Sequence, residues 1–152
     1  MFTENILHKR CWGCGFCGDN CWGLDGEDVS GTKQVIVMRR DLKMRRGKEI
    51  AQGAHASIAF MTRRLQRQKT PKFTKAEQEW LEGSFAKVCV KVNSEEELLD
   101  ILQQAKDAML EVHLITDSGK TEFHGEPTKT CLAIGPDTSE KIDPITGDLT
   151  LL

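Results

Sequence analysis

Residues 33–57 read KQVIVMRRDLKMRRGKEIAQGAHAS, and three local signals follow one another within them. Val35, Ile36, Val37 and Met38 form a continuous apolar run of strand length, the pattern of a strand covered on both faces. Asp41 to Gly47 then make a basic loop. From Lys48 onward, Ile50, Ala51, Ala54, Ile58, Met61 and Leu65 recur at spacings of three and four, which predicts an amphipathic helix. In open α/β sheets, ligands gather where a strand hands over to a helix N-terminus. The loop offers Lys43, Arg45, Arg46 and Lys48, and the free N–H groups of a helix start favour phosphate. A GxxxxGK(S/T) loop is absent, so nucleotide hydrolysis has no support.

Downstream, Pro71 in QKTPKFT ends the helix. Thr74 and Glu77 have capping-box spacing and open a short helix through Trp80 and Leu81. In FAKVCVKVN, Val88, Val90 and Val92 alternate with Lys87, Cys89 and Lys91, as in a strand. Ser94 and Glu97 make a second capping-box pair before Leu98, Ile101, Leu102, Ala105 and Met109, the stripe of an amphipathic helix. EVHLITD and KTCLAIG read as two more strands, joined by SGKTEFHGEP, and SEKIDPITG as a last turn or helix before LTLL. The order of elements predicts an α/β layered domain with a mixed sheet over residues 33–152. Residues 1–32, rich in Gly, Cys and Asp, show neither period and read as an N-terminal extension.

The chain has 152 residues, enough for one domain with a sizeable core. No apolar run approaches the roughly 20 residues that span a bilayer, and MFTENILHKRC lacks the features of a secretory leader. Cys89 and Cys131 sit singly in apolar runs, where a cysteine acts as a small buried hydrophobe, and cysteine usage points to a reducing, cytoplasmic compartment. The net charge of −2 conceals an asymmetry, since between residues 33 and 75 thirteen Lys and Arg face only Asp41 and Glu49. Arg63, Arg64, Arg67, Lys69, Lys72 and Lys75 read as solvated charges. Arg39, Arg40, Lys43, Arg45, Arg46 and Lys48 form a tighter group suited to a polyanion.

Lys48, Gln52 and His55 share one face of the first helix. A lone histidine there is as readily a satisfied core residue as a functional one, and Gln52 as readily a partly exposed bystander. Farther on, Asp117 ends a strand before a Ser-Gly turn, followed by Lys120 and Thr121, and Thr130 begins the next strand. A carboxylate there suits orienting or deprotonating a water, with hydroxyls holding a carbonyl.

The run VIVMRRDLKMRRGKEIAQGAHAS resembles the opening of the class II peptidyl-tRNA hydrolases, whose hallmark is a strand, an xDLxMxxGK loop and a helix beginning GKxAAQxxHA. VCVKVNSEEELLDILQQAK, HLITDSGKTEF, TCLAIGP and IDPITGDLTLL follow in the family's order, so the resemblance covers residues 33–152. Gly53 stands where the family often has Cys, and Arg45-Arg46 replace a more glycine- or lysine-rich pair; neither removes a catalytic group. The resemblance implies a compact α/β fold around a four-stranded mixed sheet flanked by helices. It implies hydrolysis of the ester joining a peptide to the tRNA 3′ end, which recycles tRNA. It also implies a catalytic cluster of Lys48, Gln52, His55, Asp117, Thr121 and Thr130 that needs no cofactor. Peptidyl-tRNA is the expected partner, gripped by Arg39, Arg40, Lys43, Arg45, Arg46 and Lys120, and homodimers occur in the family. Either His55 or Asp117 would act on the water.

Two other readings remain at this level. One keeps the fold as a non-catalytic tRNA- or protein-binding module. The other makes a metal protein of Cys11, Cys14, Cys17 and Cys21 in CWGCGFCGDNCWG, whose spacing matches the bacterial ferredoxin run. Trp22 replaces the proline of that run and no second cysteine run follows, so one zinc on four thiolates, an iron–sulfur cluster or a reduced thiol-rich tail are the choices there.

Overall fold

The computed structural model describes residues 31–152. Eight elements follow in chain order: β1 (Thr32–Arg39), α1 (Arg46–Arg67), α2 (Lys75–Glu82), β2 (Lys87–Val92), α3 (Glu95–Asp107), β3 (Val112–Asp117), β4 (Thr128–Thr138) and α4 (Ser139–Thr146). They form the expected α/β fold on a four-stranded sheet of order β2-β1-β4-β3. β1 runs parallel to β2 and antiparallel to β4, which is antiparallel to β3, so the sheet is mixed. Of the extension expected over residues 1–32, all but Gly31 and Thr32 lies outside the described residues.

The apolar run of β1 is buried on both faces, as its composition requires. Val35 and Val37 join Val90, Val92, Leu132 and Ile134 beneath Leu98, Ile101 and Ala105 of α3 and Ile142 of α4. Ile36 and Met38 point the other way and pack with Cys131, Ala133 and Met44 against Ala56 of α1. Local chemistry sets the ends of the helices. Thr74 accepts a hydrogen bond from the Glu77 backbone N–H at 3.2 Å while the Glu77 carboxylate accepts from the Thr74 N–H at 2.8 Å, completing the capping box that starts α2. At α3, the Ser94 hydroxyl accepts from the Glu97 N–H, but the Glu97 carboxylate caps Asn93 instead of Ser94.

Other expectations change as well, and Met109, expected on the α3 stripe, lies past the end of that helix and is 92% exposed. The stripe Ile50, Ala51, Ala54, Ile58, Met61, Leu65 is not the core face of α1. The helix buries Gln52, Ala56, Ala59 and Phe60, and leaves Ile50 67%, Ile58 51% and Leu65 51% exposed. The small Ala56 and Ala59 let the helix approach the sheet closely, and Gln52 finds polar partners there. The outward side chains Ile50, Ala54, Ile58 and Met61 instead line a groove of about 790 Å³ with Trp80, Phe85 and Leu152. Cys89 is exposed, because β2 is an edge strand that α1 does not cover, whereas Cys131 is buried and its thiol is pushed up to about 12 by desolvation.

Arg64 is likewise not a free solvated charge, whereas Arg63 is exposed as expected but also bonded. Arg64 forms a fork with the buried carboxylate of Glu77 at 2.6 Å on each arm and reaches Glu111 at 3.1 Å. Arg63 donates to the His113 ring at 2.8 Å, and the other ring nitrogen of His113 meets Glu111 at 2.6 Å. This network ties the end of α1 to α2 and to the start of β3. Bonds from His113 and Arg64 hold the Glu111 carboxyl at about 2, below the ordinary value of 4.5. A depressed carboxyl contributes stability that is complete above its unfolded-state value and is lost as pH falls toward the folded one. Glu111→Gln therefore lowers stability at neutral pH and flattens the decline in unfolding free energy between about pH 4.5 and 2, measured by denaturant titration across that range. An unchanged slope would contradict the assignment.

Candidate active site

The loop at residues 40–45 leaves the C-terminal end of β1 and delivers the N-terminus of α1 beside the loop that follows β3. Leu42 and Met44 anchor it beneath the sheet, packing with Ile115 and Phe123. Lys48, in the first turn of α1, donates to Asp117 Oδ2 at 2.7 Å and to Thr121 Oγ1 at 2.8 Å. One turn later, Gln52 Nε2 donates to the other oxygen of Asp117 at 3.1 Å. The Thr130 hydroxyl donates to Gln52 Oε1 at 2.6 Å, which fixes the amide so that its NH2 faces the carboxylate. The result is a chain from Thr130 through Gln52 and Asp117 to Lys48 and Thr121.

Burial grades along this chain. Thr130 and Gln52 are buried, the Lys48 and Asp117 side chains are 11% and 14% exposed, and Thr121 is at the surface. Gln52 is thus no half-exposed bystander. The ammonium also sits 5.2 Å from the centre of the Phe123 ring, a cation–π distance. Gly119 N–H donates to Asp117 Oδ2 at 2.9 Å, from a turn with φ +79° in which a Cβ would collide with the Glu126 backbone. The Ser-Gly turn is therefore specific for glycine at its second position. The hydrogen bond from Lys48, supported by Gly119 and Gln52, holds the Asp117 carboxyl below the usual carboxylate range, so Asp117 is ionised at neutral pH.

Free valences remain. The ammonium has three donors and uses two on Asp117 and Thr121; Thr121 accepts from it and keeps its own proton to donate. The carboxylate has about four acceptor positions, three of them taken by Lys48, Gln52 and Gly119. One cation donor, one hydroxyl and one carboxylate lone pair thus converge at a mouth open to solvent.

Five of the six expected catalytic residues are joined by these bonds. The sixth, His55, is exposed on the same face of α1 and is not bonded to the others. Around the mouth, Lys43, Arg45, Arg46 and Lys120 are exposed, and Arg45 pairs with Glu122 across it at 2.7 Å. Arg40 is half exposed and pairs with Glu49. Arg39 departs from the expectation: it is 8% exposed and its guanidinium is spent on Asp41, Glu95 and the Lys129 carbonyl, so no donor face is offered to a polyanion. Phe123 and Glu122, which pack on Lys48 and pair with Arg45, carry no local signal in the sequence that distinguishes them from other loop residues. Cys11, Cys14, Cys17 and Cys21 lie outside the described residues. Among the described residues, no group of three or more His, Cys, Asp or Glu is placed to hold a metal ion, and no helix is long and apolar enough to cross a membrane.

Residues 32–152 match the family model described as peptidyl-tRNA hydrolase PTH2. The chain belongs to this family. It is 50% identical over 120 residues to a peptidyl-tRNA hydrolase of Methanothermobacter thermautotrophicus, spanning 79% of this chain and 99% of the relative. A peptidyl-tRNA hydrolase of Methanocaldococcus jannaschii is 48% identical over 122 residues, again 79% of this chain and 99% of the relative. A solved structure of a protein of unknown function from Agrobacterium tumefaciens superposes with TM-score 0.51 at 14% identity, over 80% of this chain and 97% of that one, which shows a shared fold. Lys48, Gln52, His55, Asp117, Thr121 and Thr130 all fall within the span matched to the PTH2 family, as do Gly53 and the pair Arg45-Arg46.

Proposed function

We propose that this protein hydrolyses the ester between a peptide, or an N-blocked aminoacyl group, and the 3′ end of tRNA, returning free tRNA to translation in the cytoplasm. The observation that carries the reading is the Lys48–Asp117 pair, oriented by Gln52 and Thr130 and opening onto a basic rim, in a chain of this family. Water held on the free lone pair of Asp117 attacks the ester carbonyl carbon. The oxyanion forms against the third donor of Lys48 and the hydroxyl of Thr121, charge stabilisation that acts where charge develops. The C–O bond to the ribose then breaks, and the ribose oxygen takes up the proton that the attacking water gave up. Asp117, held ionised below its usual range, orients the water but is a weak base, which favours His55 as proton acceptor.

The exposed Lys43, Arg45, Arg46 and Lys120, with Arg40 beside them, grip the tRNA backbone without reading its sequence. We further propose a homodimer in which the outward apolar stripe of α1, with Ile50, Ala54, Ile58 and Leu65 exposed, packs on its own copy across a two-fold axis, the arrangement that lets one apolar face cover another of the same kind. Light scattering of the full chain shows a dimer that Ile58→Lys dissociates; a monomeric parent protein would rule the dimer out.

Steady-state hydrolysis of N-acetyl-aminoacyl-tRNA tests the site. Lys48→Ala lowers kcat by about 10²–10³-fold, the usual effect of removing one oxyanion donor. His55→Ala lowers it by about 10²-fold or more, with partial rescue by added imidazole. Lys43→Ala combined with Arg46→Ala raises KM, spares kcat, and reduces the slope of log(kcat/KM) against log[salt] by about one for each phosphate no longer neutralised. Full activity in both the Lys48 and His55 variants would remove the proposed mechanism.

A further inference from the structure

The burial of Arg39 points to a role that its sequence neighbourhood conceals. We propose that Arg39 is a positioning residue: from the sheet face opposite the site, it fixes the backbone bulge that aims the Thr130 hydroxyl at Gln52. The proposal rests on the reading of Thr130 and Gln52 as parts of the hydrolytic site.

The bulge is visible in the register. β3 and β4 pair Ile115 with Cys131 and then Thr116 with Lys129, so β4 carries one residue more than β3 at this point, and that residue is Thr130. An extra residue turns a strand locally and re-aims its side chain, which is why bulges recur beside active sites. Here the re-aimed side chain is fully buried and its hydroxyl reaches Gln52 Oε1 at 2.6 Å. Without that bond the amide is free to flip, and the donor facing Asp117 is no longer fixed.

Arg39 holds this bulge from behind. On the other side of β4, β1 pairs Met38 with Cys131, which brings the next residue, Arg39, beside Thr130. The side chain of Arg39 departs on the α3 face. Its Nη1 donates to the Lys129 carbonyl at 3.0 Å, the peptide group that links Lys129 to Thr130, and to Glu95 at 3.1 Å. Glu95 in turn accepts from the Lys129 ammonium at 2.6 Å, clamping the same residue by its side chain. The remaining arms, Nε and Nη2, form a fork on Asp41 at 3.1 and 2.6 Å. Asp41 opens the loop whose Leu42 and Met44 anchor under the sheet and which ends at the first turn of α1, with Lys48. One buried guanidinium therefore sets both the strand that carries Thr130 and the loop that delivers Lys48. Lysine cannot replace it, since an ammonium has no planar fork to serve Asp41 while also reaching the Lys129 carbonyl.

The test uses the full chain, kinetics on N-acetyl-aminoacyl-tRNA and ¹H–¹⁵N NMR. Arg39→Lys lowers kcat by about tenfold or more while KM and the salt slope stay near the parent values. Thr130→Val lowers kcat too, and the double variant is no slower than the slower single one, because both break the same linkage. In Arg39→Lys the backbone amide of Thr130 and the side-chain NH2 of Gln52 shift, while amides of α4 do not. Glu95→Gln, which loosens the same clamp while keeping Arg39, shifts the same two signals to a smaller extent and serves if Arg39→Lys fails to fold. A raised KM with a reduced salt slope and unchanged kcat would make Arg39 a tRNA contact and overturn the proposal, as would multiplicative losses in the double variant. The failures are separable. Parent-level turnover in Thr130→Val overturns the catalytic reading of Thr130, whereas unmoved Thr130 and Gln52 signals in Arg39→Lys overturn the positioning reading alone.

Discussion

A primary amide buried between a helix and a sheet is the constraint on which the rest of this structure depends. Gln52 is 4% exposed, and an amide removed from water without partners costs several kcal/mol in the least favourable estimates and about 1–3 in protein variants. Its partners are Thr130 on β4 and Asp117 at the end of β3, 78 and 65 residues away in the chain. Satisfying it fixes the rotation of α1, the spacing of α1 from the sheet and the position of the turn after β3 together. Lys48, one turn earlier on the helix, then has one place to put its ammonium, against Asp117 and Thr121.

That rotation has a consequence on the far side of the helix. Turning Gln52, Ala56 and Ala59 toward the sheet turns Ile50, Ile58 and Leu65 away from it. The amphipathic pattern is real, but its apolar stripe serves a surface and not the core. The two faces of α1 thus differ, one carrying Gln52 to Asp117 and Thr130 and the other leaving an apolar surface exposed. Core packing that this stripe does not supply comes from Phe60 and Trp80, set edge to face, and from the α3 side of the sheet.

Features encoded by neighbours in sequence are legible from the sequence alone. The continuous apolar run of β1, the Thr74–Glu77 box, the stripe of α3 from Leu98 to Ala105 and the alternation of β2 each report local geometry, and each element forms. The order of motifs also locates five residues that the fold joins by hydrogen bonds. What escapes a reading of the sequence is set by contacts across the chain. Arg39 reads as one more cation in a basic run, because Glu95 and Lys129 lie 56 and 90 residues away. Arg64 reads as solvated, because Glu77 and Glu111 meet it only after α2 and β3 have packed. Cys89 reads as buried, because its apolar neighbours do not reveal that β2 is an edge strand. A charge run in sequence therefore does not make a charged surface; the fold decides which cations face water.

At the centre of the proposed chemistry, the Lys48–Asp117 pair directs water to the ester carbonyl at the tRNA 3′ end. Hydrolysis of N-acetyl-aminoacyl-tRNA by the full chain in ¹⁸O-water, with mass analysis of both products, tests this most directly. Attack at the carbonyl carbon puts one ¹⁸O in the released N-acetyl amino acid and leaves an intact tRNA with a free terminal hydroxyl, and a folded Lys48→Ala variant releases both products about 10²–10³-fold more slowly. Absence of release by the parent chain, or ¹⁸O on a phosphate of shortened tRNA, would contradict it.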